Sequence, residues 1–166
     1  MTKYRAEGYK KKLESIVEPM KLRLKAEKTH IINAENQTFD FLGFTFAMKP
    51  SRRTGKMVVY YFPSTKAVNA IKGKVRRVVN HRRQVKVEAV IEELTPVLRG
   101  WVNYYRMANS SKKFGKVRYY VAQKVRKFMR RHEHKSGYGY KKYPDEFLYG
   151  KLGLYRDYRV TWAKAF

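Results

Sequence analysis

The chain has 166 residues, enough for one ordinary domain, and carries 39 Lys and Arg against 13 Asp and Glu, a formal net charge of +26. Such an excess of positive charge predicts a polyanionic partner, and an aromatic content of 15% favours nucleic acid over a membrane or an acidic protein. The chain has no Cys, which excludes disulfides, and its four His lack the spacing of a zinc site. It also lacks an apolar run of the roughly 20 residues that a membrane span needs. These features predict an intracellular protein without a metal site.

The front of the chain predicts one helix followed by a short strand. In residues 9–24, apolar residues recur at helical spacing, which predicts an amphipathic helix with one buried stripe. Pro19 is expected to kink or divide this helix, because proline has no backbone N–H. Residues 29–33 are predicted as a strand and residues 35–37 as a turn.

An aromatic segment at residues 39–46 predicts two strand pieces rather than one. The Phe side chains occupy odd positions, 39 and 41, before Gly43 and even positions, 44 and 46, after it. The buried face would therefore change sides unless the backbone bends, and glycine permits a bulge or a tight reversal at that point. Residues 49–56 are predicted as a basic loop and residues 57–62 as the strand that closes a hairpin.

From Ser64 onward the apolar residues follow a helical period. Ser64 is predicted to cap a helix whose buried stripe is Ala67, Ile71, Val75, Val78 and Val79. A second helix is predicted at residues 87–94. Thr95 and Pro96 then predict a break and a restart, with Thr95 as the cap and Pro96 at the first helical position. The restarted helix would carry Val97, Leu98, Trp101, Val102 and Tyr105.

The last predicted helix covers residues 112–131, with Phe114, Val117, Val121, Val125 and Phe128 facing inward. Residues 136–166 are rich in Tyr and Gly and are predicted as an irregular tail with a short helical turn near residues 145–149. The predicted class is α+β, mainly helical, with a small antiparallel sheet before a bundle of three or four helices. The chain would divide into residues 1–62, 63–135 and 136–166.

Basic residues are concentrated on the predicted helices. About ten of them, with few acids between them, exceed what solubility requires and predict a phosphate-binding surface. Trp101 and Tyr105 share a helix face and are predicted to be core, which leaves Tyr104 to contact RNA. Three acids, Glu88, Glu92 and Glu93, are expected to pair with nearby bases. The predicted RNA-binding residues are Lys66, Lys72, Lys74, Arg76, Arg77, Arg82, Arg83, Arg99, Tyr104, Arg106, Lys116, Arg118, Lys124, Arg126, Lys127 and Arg130.

Three segments carry a resemblance to a known family. The run FDFLGFTF at residues 39–46 resembles the last conserved block of reverse transcriptases, whose Leu-Gly turn forms the primer grip. The run LTPVLRGWVNYY at residues 94–105 resembles the hallmark of the maturase-specific domain of group II intron reverse transcriptases. Residues 27–29 are similar to that family's link between palm helix and palm strand. Order and spacing agree, so residues 10–130 resemble the end of the palm followed by the maturase, or thumb, domain.

The resemblance implies a protein of a mobile element that binds structured intron RNA and helps it to fold for splicing. It also implies that Leu42, Gly43 and Phe44 form a turn similar to the primer grip. The full-length proteins of this family copy RNA into DNA with two Mg²⁺ ions, which need carboxylate ligands. A DNA target and a palm-bearing polypeptide are further candidate partners.

This sequence departs from the polymerase pattern. Its three Asp residues, Asp40, Asp145 and Asp157, are widely spaced, so the catalytic Asp-Asp turn is missing. We therefore expect no catalytic residue, no cofactor and no enzymatic activity in this chain alone. A truncated remnant, one piece of a split gene and a reduced maturase all fit. Two alternatives stay open: the thumb half of a split polymerase that works with a palm-bearing partner, and a generic basic nucleic-acid-binding protein.

Overall fold

The computed structural model describes residues 3–51, 53–80 and 84–161, and only the backbone of Lys3 and Lys28. In the described residues, a three-stranded antiparallel sheet in the order β1-β2-β3 precedes a group of packed helices, which confirms the predicted α+β class. The elements are α1 (Lys3–Val17), β1 (Phe39–Phe41), β2 (Phe44–Pro50), β3 (Met57–Pro63), α2 (Thr65–Val78), α3 (Val87–Tyr105) and α4 (Ser111–His132).

The segment before the sheet differs from its prediction. The first helix gives way at Val17 to a 3₁₀ turn that contains Pro19, as the missing N–H of proline requires. Its expected buried stripe is wrong, because Leu13 and Ile16 are 45% and 51% exposed and no described element covers them. The strand expected at residues 29–33 is also wrong, since β1 pairs only with β2 and offers this segment no partner.

The aromatic segment forms a hairpin with a two-residue turn, which confirms the predicted reversal at Gly43. Phe41 pairs with Phe44 across the turn, and Phe39 pairs with Phe46, with the two Phe39 and Phe46 rings stacked 5.0 Å apart. Leu42 and Gly43 both have positive φ, 47° and 82°. Positive φ at both central residues gives the turn a twist that matches the flanking strands.

The hairpin turn is fixed to the helices by three hydrogen bonds. The Tyr104 hydroxyl donates to the Leu42 carbonyl at 2.9 Å, and the Tyr105 hydroxyl donates to the Gly43 carbonyl at 3.3 Å. The Ser64 N–H donates to the same Gly43 carbonyl at 2.8 Å. The sheet is therefore positioned by the start of α2 and the end of α3.

This docking makes Gly43 the least replaceable position of the turn. An added Cβ would lie 2.6 Å from the Tyr105 hydroxyl and would also sit at φ +82°. We expect Gly43→Ala to lower the free energy of unfolding by about 2–4 kcal/mol, as measured by urea denaturation. Gly55→Ala is the matched control, because Gly55 has φ +68° with open space around it, and should cost about 1–2 kcal/mol. Equal losses in the two variants would contradict the close contact with Tyr105.

Helix α2 begins as predicted. Ser64 caps it, since the Ser64 hydroxyl accepts a hydrogen bond from the Ala67 N–H at 3.1 Å. Ile71 and Val75 of the predicted stripe are buried, together with Val68. This stripe packs against α3 and α4 in the main hydrophobic core.

Helix α3 is continuous from Val87 to Tyr105, so the break predicted at residues 95–96 is wrong. The Thr95 hydroxyl does not cap a new helix but donates to the Ile91 carbonyl at 2.8 Å, one turn back. Pro96 lies on the exposed side, where water can replace the hydrogen bond that it cannot donate. Leu94 and Leu98 are fully buried on either side of it, and this burial outweighs the local cost of proline.

Helix α4 confirms the prediction for residues 112–131, and its five predicted core residues are all buried. The following segment is more ordered than expected. A π-helical turn at Phe147–Lys151 lies near the predicted helical turn, and Tyr143, Leu148 and Leu154 are buried in the same core as α2, α3 and α4. The division of the chain into three parts stays a prediction.

Candidate nucleic-acid interface

Two neighbouring helices, α2 and α4, carry many basic residues and no acidic ones. Helix α2 contains five basic residues and α4 contains nine, and neither helix contains an Asp or a Glu. The two helices pack against each other through their apolar sides. The basic side chains of both helices therefore lie on the faces that do not pack in the core. On α4, arginines of one such face donate hydrogen bonds to the C-terminal segment, whereas the cations of the other form no ion pair with a described carboxylate.

The C-terminal segment, residues 136–161, contacts one flank of α4 through arginines. The buried Arg126 guanidinium donates to the Tyr143 carbonyl and forms an ion pair with Asp145. Arg130 forms an ion pair with Glu133 at 3.3 Å and donates to the Ser136 carbonyl. A planar guanidinium with several donors suits such multiple contacts better than a Lys ammonium does.

These contacts change the predicted set of RNA-binding residues. Arg126 is only 3% exposed, so the prediction that it contacts phosphate is wrong. Arg106 forms an ion pair with Asp157 at 2.8 Å, and its side chain is 21% exposed. Arg130 is similarly occupied. Helical spacing alone does not show which side chains are engaged by the C-terminal segment, and contact of Arg106 and Arg130 with RNA stays a prediction.

The opposite flank of α4 carries a line of cations. We define the α4 stripe as the residues that recur every three or four positions along this flank and extend over about 27 Å of helix. In the described part of the chain, no carboxylate forms an ion pair with any of them. The stripe consists of Lys113, Lys116, Tyr120, Lys124, Lys127 and Arg131.

Two lysines lie near the ring of Tyr120, at the centre of the stripe. The Nζ atoms of Lys72 and Lys124 lie 5.2 Å and 5.6 Å from the Tyr120 ring centroid, on α2 and α4 respectively. Burial raises the pKa of the Tyr120 hydroxyl, and the nearby positive charge of Arg76 acts in the opposite direction. The ring attracts each cation, yet the cations repel one another, and an anion bound between them would relieve that repulsion.

The positive surface continues from the stripe onto the sheet. The Nζ atoms of Lys113 on α4 and Lys49 on β2 lie 5.5 Å and 5.3 Å from the Phe62 ring centroid. On the outer side of α2, a groove of about 510 Å³ is lined in part by Lys74, Arg76 and Arg77. The cations of β2, α2 and α4 therefore form one extended positive surface.

The other predicted contact residues occupy various places. Lys66, Lys74, Arg76, Arg77 and Lys116 are exposed, whereas Lys72, Lys124 and Lys127 are partly buried. Arg118 lies over the Tyr149 ring, 4.7 Å from its centroid. Arg82 and Arg83 lie outside the described residues. Lys113, Tyr120 and Arg131 were missed by the sequence analysis, although their helical spacing with the other stripe residues was the signal that could have shown them.

Arg99 lies apart from the stripe, in a groove on α3 beside Glu88 and Glu92. The ion pairs expected for these two acids are absent among the described residues. The reason is that neither acid has a Lys or Arg three or four residues away on the helix. The position of Arg99 therefore gives no support to a shared site with the stripe.

Tyr104, the predicted stacking residue, is 56% exposed but already has contacts within the chain. Its ring stacks on Phe44 at 5.5 Å, and its hydroxyl holds the hairpin turn. Leu42 at the tip of that turn is 68% exposed. The turn that resembles a primer grip thus connects the sheet to α3, and its Leu42 side chain is exposed to solvent.

Carboxylates tie the C-terminal segment to the helices in a pH-dependent way. Hydrogen bonds from Lys142 and then Tyr143 lower the pKa of Glu133 to about 2, and hydrogen bonds from Arg159 and then Arg106 lower the pKa of Asp157 to about 2. A lowered pKa in the folded state stabilises the fold above the ordinary carboxyl pKa, and this stabilisation is lost as the pH falls towards about 2.

We therefore expect the melting temperature to fall between about pH 5 and about pH 2. Both carboxylates are partly exposed, so added salt should make the fall smaller. The double variant Glu133→Gln, Asp157→Asn should begin with a lower melting temperature at neutral pH and should lose less of it in acid. Thermal unfolding followed by circular dichroism measures both quantities, and parallel curves for the two proteins would contradict this assignment.

Fold and charge together define a small basic α+β protein whose α4 stripe forms no ion pair within the described part of the chain. Residues 68–144 match the family model "Group II intron, maturase-specific domain", a domain involved in group II intron splicing. The matched residues include α3 and α4, and the domain is distinct from the catalytic polymerase domain. A comparison with curated proteins finds no match. In the described residues, no helix is long and apolar enough to span a membrane.

Proposed function

We propose that this chain binds the structured RNA of a group II intron through the α4 stripe and the adjoining cations of α2, and thereby assists splicing. The observation that carries the proposal is the cluster at Tyr120, where Lys72 and Lys124 approach one ring and form no ion pair with a carboxylate of the described residues. The matched maturase-specific domain supports intron RNA as the polyanion, because α4 lies within the match.

The physical mechanism is neutralisation of phosphates without covalent chemistry. Each phosphate that a cation contacts releases condensed counterions, which is the main source of sequence-independent affinity for nucleic acid. A protein that binds the folded RNA more tightly than the unfolded RNA stabilises the folded form by mass action. The ion pair of Arg126 with Asp145 and the hydrogen bond from Arg130 to the Ser136 carbonyl attach α4 to the C-terminal segment, which holds the helix that carries the stripe in place.

A splicing assay tests this function. At an Mg²⁺ concentration too low for efficient self-splicing, the full chain should increase the rate of splicing of a group II intron RNA, and filter binding should show a complex with that RNA. A structured RNA of equal length without an intron is the control for general RNA binding. Failure to bind either RNA would overturn the proposal, whereas equal binding to both without faster splicing would favour a generic basic nucleic-acid-binding protein.

Exposed apolar groups before and within the sheet favour a second candidate, the thumb half of a split polymerase. Strand β1 is an edge strand, Phe41 is 59% exposed, and Leu13 and Ile16 of α1 are uncovered. A palm-bearing polypeptide could extend such a sheet edge. Primer extension with Mg²⁺ and dNTPs tests this candidate: we expect no synthesis by the chain alone, and synthesis that depends on an added palm-bearing polypeptide would support it.

A further inference from the structure

Beside the α4 stripe lies a cluster of three tyrosines, Tyr119, Tyr138 and Tyr140. The Tyr138 and Tyr140 rings lie 5.7 Å apart with 34° between their planes, and the hydroxyls of Tyr119 and Tyr140 are 3.4 Å apart. Tyr119 is 63% exposed and Tyr140 is 48% exposed. Three aromatic side chains thus form one patch that is open to solvent.

Cations of the stripe border this patch. The Nζ atom of Lys127 lies 4.4 Å from the Tyr138 ring centroid, and Lys116 precedes Tyr119 by one helical turn. Gly115, four residues before Tyr119, has open space where a side chain would be. A nucleotide whose phosphate contacts Lys116 or Lys127 would therefore have room to place its base against Tyr119.

The tyrosines differ in what they do for the fold. Tyr140 is held on one side by Gln123, which donates to its hydroxyl, and by the Arg126 guanidinium, 4.9 Å from the ring centroid. The contacts described for Tyr119 are hydrogen bonds of its hydroxyl, with the Tyr140 hydroxyl at 3.4 Å and with Gln123. The ring of Tyr119 is mostly exposed, and its described hydrogen bonds are made by the hydroxyl at its end, so the ring is available to a ligand.

We propose that the tyrosine cluster is a stacking site for an unpaired base of the RNA that the α4 stripe binds, with Tyr119 as the principal stacking residue. This inference rests on the proposed function and adds to it the kind of RNA element that is recognised. Bases in loops and bulges can stack on aromatic rings, whereas bases inside a duplex cannot leave their stack without an energetic cost. The chain would thus favour a single-stranded or looped element next to phosphates held by Lys116 and Lys127.

The test compares the wild-type chain with Tyr119→Leu on two probes. One probe is a short unstructured RNA with a single 2-aminopurine, and the other is the same strand annealed to its complement. We expect Tyr119→Leu to weaken binding of the single strand about 5- to 100-fold, to leave the slope of affinity against salt unchanged, and to leave binding of the duplex within about twofold. Fluorescence quenching of the 2-aminopurine by the wild-type protein should be lost in the variant.

Two controls separate stacking from other effects. Tyr119→Phe removes the hydroxyl contact but keeps the ring, so it should retain the affinity for the single strand. Tyr9→Leu replaces a tyrosine of α1 that is 62% exposed and should have no effect. Equal binding of the single strand by Tyr119→Leu and wild type would overturn the stacking site, while absence of salt-dependent binding by the wild type to both probes would overturn the proposed function instead.

Discussion

Replacing four cations of the α4 stripe should weaken the binding of intron RNA about 100- to 1000-fold at physiological salt. The variant combines Lys116→Gln, Lys124→Gln, Lys127→Gln and Arg131→Gln, which are borne by one helix and pair with no carboxylate among the described residues. Counterion release from four phosphate contacts raises affinity about a thousandfold when salt is lowered from 1 M to 0.15 M. A variant that lacks these four contacts loses this gain. Filter binding at constant salt measures the loss.

The matched control removes the same charge elsewhere. Replacing Lys10, Lys11, Lys12 and Lys25 with Gln alters the segment before the sheet and leaves the helix pair intact. We expect a loss of less than about tenfold, because these residues affect only the general field of the protein. If the control loses as much affinity as the stripe variant, binding depends on net charge and the stripe has no special role.

Truncation after residue 135 should unfold the helices. The deleted segment contributes Tyr143, Leu148 and Leu154 to the core and provides the carboxylate of Asp145 to Arg126. Loss of one large buried side chain costs about 2–5 kcal/mol, so the loss of three exceeds the stability of a typical domain of this size. Far-ultraviolet circular dichroism should show a loss of helix and of cooperative thermal unfolding.

Deletion of residues 1–37 provides the comparison. In the described part of this region no side chain is buried, so the shortened protein should keep its helical spectrum and its melting temperature. A truncation at residue 135 that unfolds as cooperatively as the full chain would show that the C-terminal segment is dispensable. The deletion and the truncation thus locate the cooperative core between the start of the sheet and residue 161.

The sequence was sufficient for features that depend on local patterning. The change of Phe register at Gly43 predicted the hairpin turn, Ser64 predicted the helix cap, and the apolar period of residues 112–131 predicted α4 with its buried face. Each of these signals reflects an interaction within a few residues along the chain. The resemblance at residues 94–105 likewise identified the maturase-specific domain that the family model matches.

Features that depend on distant contacts were predicted less well. Pro96 looked like a helix break because its local cost is large, but tertiary burial of Leu94 and Leu98 holds the helix together. The segment at residues 29–33 has strand-forming residues, yet a strand forms only where another strand pairs with it. The C-terminal segment is rich in Gly and Tyr, which is typical of an irregular tail. Its composition therefore did not indicate that Tyr143, Leu148 and Leu154 belong to the core.

The candidate site shows the same limit. Composition was enough to predict a phosphate-binding surface, but it could not distinguish the basic residues of α4 that contact other parts of the chain from those that face solvent. The structure separates them, because Asp145 and Glu133 pair with arginines of one flank, while the cations of the other flank form no ion pair with any described carboxylate. Helical phase relative to the buried face could have found Lys113 and Arg131, whereas the partners of Arg126 come from residues 143–145 and could not be read from its own helix.

The salt dependence of RNA binding tests the central claim most directly. We expect the logarithm of the affinity of the wild-type chain for a group II intron RNA to fall with the logarithm of salt concentration with a slope of about −4 to −8. The fourfold stripe variant should have a slope shallower by about 3, since each lost phosphate contact removes roughly 0.7–0.9. An unchanged slope in the stripe variant, or a slope near zero in the wild type, would contradict the assignment of this helix pair as the RNA-binding surface.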